Sequence, residues 1–326
     1  MPILSVNRFF GMGKETTRGT AATPNIWLPI EPNPTLTPTL TWLPDKSLRG
    51  SAVVQYDDVP SVRHDEFEFK GNVYADTFPA LMLASLGGPD VVTGTAAPYT
   101  HKIGLANDAA TGSQPPSYTG IDTDNILEST AQAKQFTAGQ LGDISLDFAA
   151  TGALTYSTKY FANPFTEVAA PTTQIFSTAV LLPAWSGSIT IGTVLSGVVV
   201  SGSLDIKRST ESIPVIGQQA PYRLFAGPAD VSGKLVFIAE ANDPTFVNAL
   251  ARFQQNLTIQ FSDPVSSDTV TFQMSNVQLK NPKVSGSKAY EEITCDFQCN
   301  ADATDAQNGG YSPILFTATN SRSTAY

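Results

Sequence analysis

Cysteine, histidine and long apolar runs are all scarce in this chain, and each scarcity closes off a class of protein. Only two cysteines, Cys295 and Cys299, occur among the 326 residues. On one strand, residues four apart share a face at a separation of about 13 Å, too far for a disulfide with each other. Free thiols, buried or half-buried, are expected, and no histidine lies near enough in sequence to complete a metal site. The two histidines, His64 and His101, flank no nucleophile signature such as Gly-x-Ser-x-Gly. Both are expected as loop or surface residues, and no catalytic residue is assigned. The longest apolar stretches, such as Val180–Pro183 and Val198–Val200, are too short to span a bilayer. The start, Met1 to Arg8, lacks the basic and apolar regions of a signal peptide.

Basic charge is short as well: 19 Lys and Arg stand against 29 Asp and Glu, for a formal net charge of −10. Tight phosphate binding needs clustered cations, so sequence-specific or tight nucleic-acid binding is not expected, and an acidic surface would repel DNA. Gly11-Met-Gly-Lys-Glu-Thr16 fails as a phosphate loop, with Glu15 where Ser or Thr must follow the lysine and Arg8 where the first glycine belongs. Asp122-Thr-Asp-Asn125 and Asp302-Ala-Thr-Asp305 lack the spacing and closing Glu of an EF-hand; they are expected as solvated turns. Asp57-Asp58 and Glu66/Glu68 read as polar positions on alternating strands. No metal, cofactor or enzymatic activity is expected.

What the chain does have is Thr, Ser, Gly and Pro, with 41% hydrophobic residues, a mixture that favours strands and turns. The prolines at 24, 29, 32, 34, 38 and 44 predict an extended N-terminal arm with short edge-strand pieces. Alternation predicts strands at Ser51–Tyr56 and Glu66–Tyr74. Asp76–Gly88 reads as a short amphipathic helix with Phe78, Leu81, Met82 and Leu86 on its apolar face and Gly87 as stop. Gly88–Asn125 reads as a long polar loop, followed by strands at Gly142–Phe148 and Ala153–Phe161. A second series then begins: Gly187–Gly192 and Val198–Ile206, an Arg208–Asp230 excursion, Lys234–Ile238, a helix at Asn242–Phe253, and strands at Asn256–Phe261, Thr269–Met274 and Glu292–Cys299. From Ala301 a polar tail is expected to end in an exposed arm. Trp27, Trp42 and Trp185 sit among apolar and proline residues and are expected to pack.

The order suggests a duplication. Thr77-Phe78 answers Thr245-Phe246 at the helix starts, and Ile144–Phe148 answers Ile293–Phe297, with the Gly88–Asn125 loop as the extra length of the first copy. The expected domains are 1–165, with the arm and the loop 88–125, and 166–326, with the tail.

Gly13-Lys-Glu-Thr-Thr-Arg-Gly-Thr-Ala21, Leu28-Pro29, Ser85-Leu-Gly-Gly88, Tyr99-Thr-His-Lys, Pro116-Ser-Tyr-Thr119 and Gly142–Phe148 are the segments by which the chain resembles the major tail tube proteins of long-tailed (siphovirus-type) bacteriophages. The resemblance covers most of the first half; the second half matches in layout. It implies a mainly β fold of two tandem tail-tube β-sandwich modules, each with one short helix, that contribute strands to an oligomeric barrel. It further implies a virion structural protein, made in the host cytoplasm, that self-assembles into stacked rings. Three chains with pseudo-sixfold symmetry, or six chains, would form each ring. DNA would pass through the lumen without specific binding, and a tape measure protein and a tail terminator would be partners. The alternatives are a single-ring tail component, such as a terminator or baseplate hub, and a carbohydrate-binding β-sandwich.

Overall fold

The computed structural model describes residues 8–107, 112–123, 132–192, 194–196, 198–240, 245–251, 254–286, 289–307 and 309–326. It is mainly β. The first half holds β1 (Phe9–Lys14), β2 (Ile26–Leu28), β3 (Thr35–Asp45), β4 (Asp57–Asn72), helix α1 (Phe78–Leu86), β5 (Val91–Thr93), β6 (Tyr99–Ile103), β7 (Tyr118–Thr123), β8 (Ala133–Ala149), β9 (Thr155–Ala162) and β10 (Thr166–Val168). The second holds β11 (Ser188–Ile191), β12 (Val194–Ser196), β13 (Val199–Lys207), β14 (Glu211–Ile213), β15 (Arg223–Phe225), β16 (Asp230–Ile238), α2 (Thr245–Leu250), β17 (Gln254–Ser262), β18 (Thr269–Ser285), β19 (Glu292–Cys299) and β20 (Leu315–Asn320).

The main sheet runs β3-β4-β9-β8-β13-β16-β19-β18, antiparallel throughout. Two outer sheets share its long strands: β2-β1-β7-β8-β10 and β12-β11-β17-β18-β20-β6-β5. Bulges between Leu141 and Ile144 and between Lys280 and Lys283 let β8 and β18 serve both layers. Pairing order is the same in the two halves: β3-β4-β9-β8-β7-β1 and β13-β16-β19-β18-β17-β11. In the first, Leu36, Phe67, Tyr160 and Leu141 form one cross-strand row; in the second, Leu204, Gly233, Phe297 and Leu279 do. Where the first row has Phe67 the second has Gly233, because the Phe297 ring already lies 2.4 Å from where a Cβ would stand.

Several expectations change. The N-terminal arm contributes β1 and β2 to the core: Phe10 and Met12 are fully buried and Ile26, Trp27 and Leu28 nearly so, while residues 16–25 between the strands are exposed or half-buried. Pro38 and Pro44 sit inside β3, tolerated because that strand is paired on one side only. Ser51–Tyr56 is the tip joining β3 to β4, with Asp57 opening the strand. The Gly88–Asn125 stretch carries β5, β6 and β7, while residues 108–111 and 124–125 lie outside the described ones. β6 pairs with β20, so the C-terminal stretch returns to the sheet instead of ending in an exposed arm.

Helix α1 is not amphipathic in its surroundings, since all of its residues are buried. The Phe78 ring lies 5.6 Å from Tyr156 of the first half and 5.7 Å from Phe316 of the second. Tyr326, 7% exposed, closes this packing by donating its hydroxyl to Asp76 O at 2.6 Å. His101, expected at the surface, is fully buried beneath it, with Nε2 donating to Arg322 O at 2.9 Å and Nδ1 2.8 Å from Asp90 Oδ2. Removing one member of such a buried pair costs about 3 kcal/mol. His101→Ala is therefore expected to lower stability by that amount in urea titration of the unassembled chain.

Burial is also the main cause that raises the phenol pKa values of Tyr118, Tyr156, Tyr160 and Tyr326 above the ordinary 10.0. A raised folded-state pKa gives stability that is complete below the unfolded value and is lost as pH rises toward the folded one. Thermal melts should hold up to pH 9 and fall progressively above pH 10.

Candidate functional site: a polar sheet face with two open edges

Strict alternation gives the main sheet one apolar and one polar face. Phe69, Leu146, Leu204, Leu235 and Ile293 point into the core. Between them, exposed or half-buried, stand the carboxylates Glu66, Glu68, Asp147, Asp205, Asp230 and Asp296, against the amines Lys70, Lys159, Lys207, Lys234 and Lys283. Many of these charges are locally answered. Lys159 Nζ lies 3.3 Å from Glu66 and 3.9 Å from Glu68, and Ser145 Oγ donates to Asp205 at 2.6 Å. Glu66 and Glu68 thus occupy the alternating polar positions expected of them, and His64 Nε2 lies 3.2 Å from Glu66. Asp57 and Asp58 stand exposed where β4 leaves the hairpin tip.

The sheet is open at both ends. Among the described residues, β3 pairs only with β4 at one end, and at the other the Lys283–Ser285 end of β18 pairs with β19 and with no second strand. Two arms project from the same end of the halves. The β3–β4 hairpin exposes Trp42, Leu43, Leu48, Val53, Val54 and Val59, and the β13–β16 connection exposes Ile213, Val215, Ile216 and Tyr222. Trp42 and Trp185 are 54% and 67% exposed, so of the three tryptophans only Trp27 packs as expected. Exposed apolar sets of this size mark contact surfaces.

Other singled-out residues are structural. Asp122 is buried and takes both Arg8 Nε and Nη2 at 2.7 Å, and Asp305 is buried accepting Ser275 N at 2.6 Å. Neither is the solvated turn residue expected; Asp302, accepting Thr304 N at 2.8 Å, does cap a turn. Among the described residues no group of His, Cys, Asp and Glu could hold a metal, and no helix is long and apolar enough to cross a membrane. Cys295 and Cys299 are buried free thiols, and burial pushes the Cys299 thiol up.

Sequence reasoning missed Glu15. Its carboxylate is buried and accepts Gly19 N at 2.8 Å, Ser117 Oγ at 2.7 Å, and Thr119 Oγ1 and Ala138 N at 2.9 Å each. It ties the segment after β1 to β7 and β8. The only sequence signal was a failed phosphate loop with an acid in the hydroxyl position.

A mainly β chain with a polar sheet face and open edges fits the family comparison, in which the phage tail tube protein family matches residues 5–324. The chain belongs to that family. A tail tube protein is a structural component of the bacteriophage virion, and membership implies self-association into a tube. The family is generally non-enzymatic. Comparison with curated proteins gives no match.

Proposed function

We propose that this chain is two tandem tail-tube modules, 1–165 and 166–326, and that three chains close a ring of six modules. Such rings stack into the tube through which phage DNA passes. The observation that carries the reading is the shared pairing order of the two halves, joined inside the chain by β13 lying against β8. The open strand β3 is the counterpart of β13, and the open end of β18 is the counterpart of the β8 segment that β13 occupies. A chain with one edge of each kind unfilled is completed by further copies, and a head-to-tail interface that closes on rotation gives a ring. Closure also removes the aggregation hazard of free edges.

The duplication takes a different register from the one the short sequence matches suggest. Ile144–Phe148 lies on β8 and Ile293–Phe297 on β19, which hold different places in the order. β8 answers β18 and β9 answers β19, so the first half carries all of Gly87–Ser117 where the second has only 251–253 between helix and strand.

In the ring the polar face lines the lumen. Its carboxylates outnumber its amines, so the face carries net negative charge and passing DNA slides without specific binding. The tips of the two apolar arms, with Leu48, Val53 and Val54 on one and Val215 and Ile216 on the other, meet the next ring. A tape measure protein inside the tube and a tail terminator at its end are the further partners, and the virion tail, assembled in the host cytoplasm, is the location. Native mass spectrometry of dissociated tubes tests the count: a three-chain ring is expected, and a six-chain ring would overturn the two-module wall.

A further inference from the structure

Resting on that reading, the junction inside the chain serves as a template for the junction between chains. We infer that β3 of one copy pairs antiparallel with the β18 edge of the next, in the register that sets Leu36 opposite Val284 and Thr37 opposite Lys283. The amides of Leu40 and Thr41, at the bulge of β3, would then dock on Asn281.

The register follows from the cross-strand rows. Leu36 corresponds to Leu204 through their places in the two rows. Leu141 corresponds to Leu279, and Leu146, opposite Tyr156, to Val284, opposite Ile293. Inside the chain Leu204 faces Leu146 and Asp205 faces Ser145; substituting counterparts gives Leu36 with Val284 and Thr37 with Lys283. The burial agrees: Leu146 is 1% exposed beneath β13, whereas Val284, with nothing over it, is 52% exposed.

Three independent features fit this register. Ile206 faces Ile144 in the chain, and their counterparts are Pro38 and Pro282, so the two prolines stand opposite each other and the ladder positions that lack an N–H donor coincide in one residue pair. Asp143 Oδ1 accepts Arg208 N at 2.8 Å and Ser209 N at 3.2 Å where the chain leaves β13. The counterpart of Asp143 is Asn281, whose Nδ2 is engaged by Asp296 at 3.0 Å, leaving its carbonyl oxygen to accept. The counterparts of the donors are Leu40 and Thr41, at the bulge of β3.

The third feature is a groove of about 600 Å³ beside this edge, between α2 and β18, lined in part by Leu250, Leu279 and Pro282. By α1 the matching space is filled by Gln114, paired twice with Ala226 at 2.9 Å, and by the buried Leu224 of the β13–β16 connection. The counterpart of that connection is the β3–β4 hairpin, so the exposed Trp42 and Val59 of the next copy cover Leu250.

The test is cysteine cross-linking of assembled protein, in the pair T37C and K283C on the polar face. Oxidised tubes of the double variant are expected to give covalent multimers up to the closed ring on non-reducing gels, and a T37C/T294C control, one strand further away, single chains. A second variant, Asn281→Gly, keeps the left-handed backbone at φ 51 but removes the acceptor. It is expected to raise the concentration needed for assembly about tenfold without lowering the melting temperature of the unassembled chain. Tubes that form while T37C/K283C stays uncross-linked, or while the control links equally, overturn this register and leave the ring reading standing. Failure of the unmodified chain to assemble overturns both.

Discussion

Val284→Asp is expected to yield a folded chain that forms neither rings nor tubes. In the isolated chain Val284 is 52% exposed at the end of β18, so the substitution should change stability by no more than about 0.5 kcal/mol. In the proposed ring the same side chain would lie under Leu36 of the neighbour, as Leu146 lies buried against β13 within the chain. A carboxylate there is enclosed with no cation on the apolar side, at a cost of about 3 kcal/mol per junction, or roughly a hundredfold in association. Because every ring repeats the junction, the loss compounds. Circular dichroism and sedimentation velocity read the two halves of the result: native spectrum, monomer only. Tubes forming at the unmodified chain's concentration would show that this edge is not the contact.

Glu15→Ala is expected to have the opposite signature, loss of the fold itself. Four donors converge on this carboxylate from three segments of the first half. Alanine leaves the buried Ala138 N–H and two hydroxyls without their acceptor, and each such group costs about 1–3 kcal/mol. A loss of about 4 kcal/mol is a large share of the roughly 5–15 kcal/mol that holds a domain folded. Urea titration should show the midpoint collapse, and Glu15→Gln should recover part of it, since one acceptor oxygen remains. An unchanged midpoint would mean the donors find water or other partners.

β19 was readable to the residue, Glu292–Cys299, because its alternation is the direct consequence of one buried and one polar face. The polar face was readable for the same reason, in Glu66 and Glu68. Contacts distant in sequence were not. β6 is a strand because β20, more than two hundred residues later, offers it an edge, and His101 is buried because the C-terminus folds over it. The prolines pointed to short edge-strand pieces, and the edge strand β3 carries Pro38 and Pro44 over eleven residues because its second side stays open within the chain. Ile144–Phe148 and Ile293–Phe297 share a local pattern because both strands face the core, yet β8 and β19 hold different places in the pairing order. Val284 looks like any strand-end valine, and its likeness to Leu146, which pairs with Leu204 of β13, is visible only in the strand pairing.

Electron microscopy of the purified protein at high concentration tests most directly whether this chain builds a hollow tube from rings of three. The account predicts rings or stacked tubes with a central channel whose end-on averages show six similar lobes related by threefold symmetry. Monodisperse single chains at every concentration, or solid filaments without a channel, would contradict it.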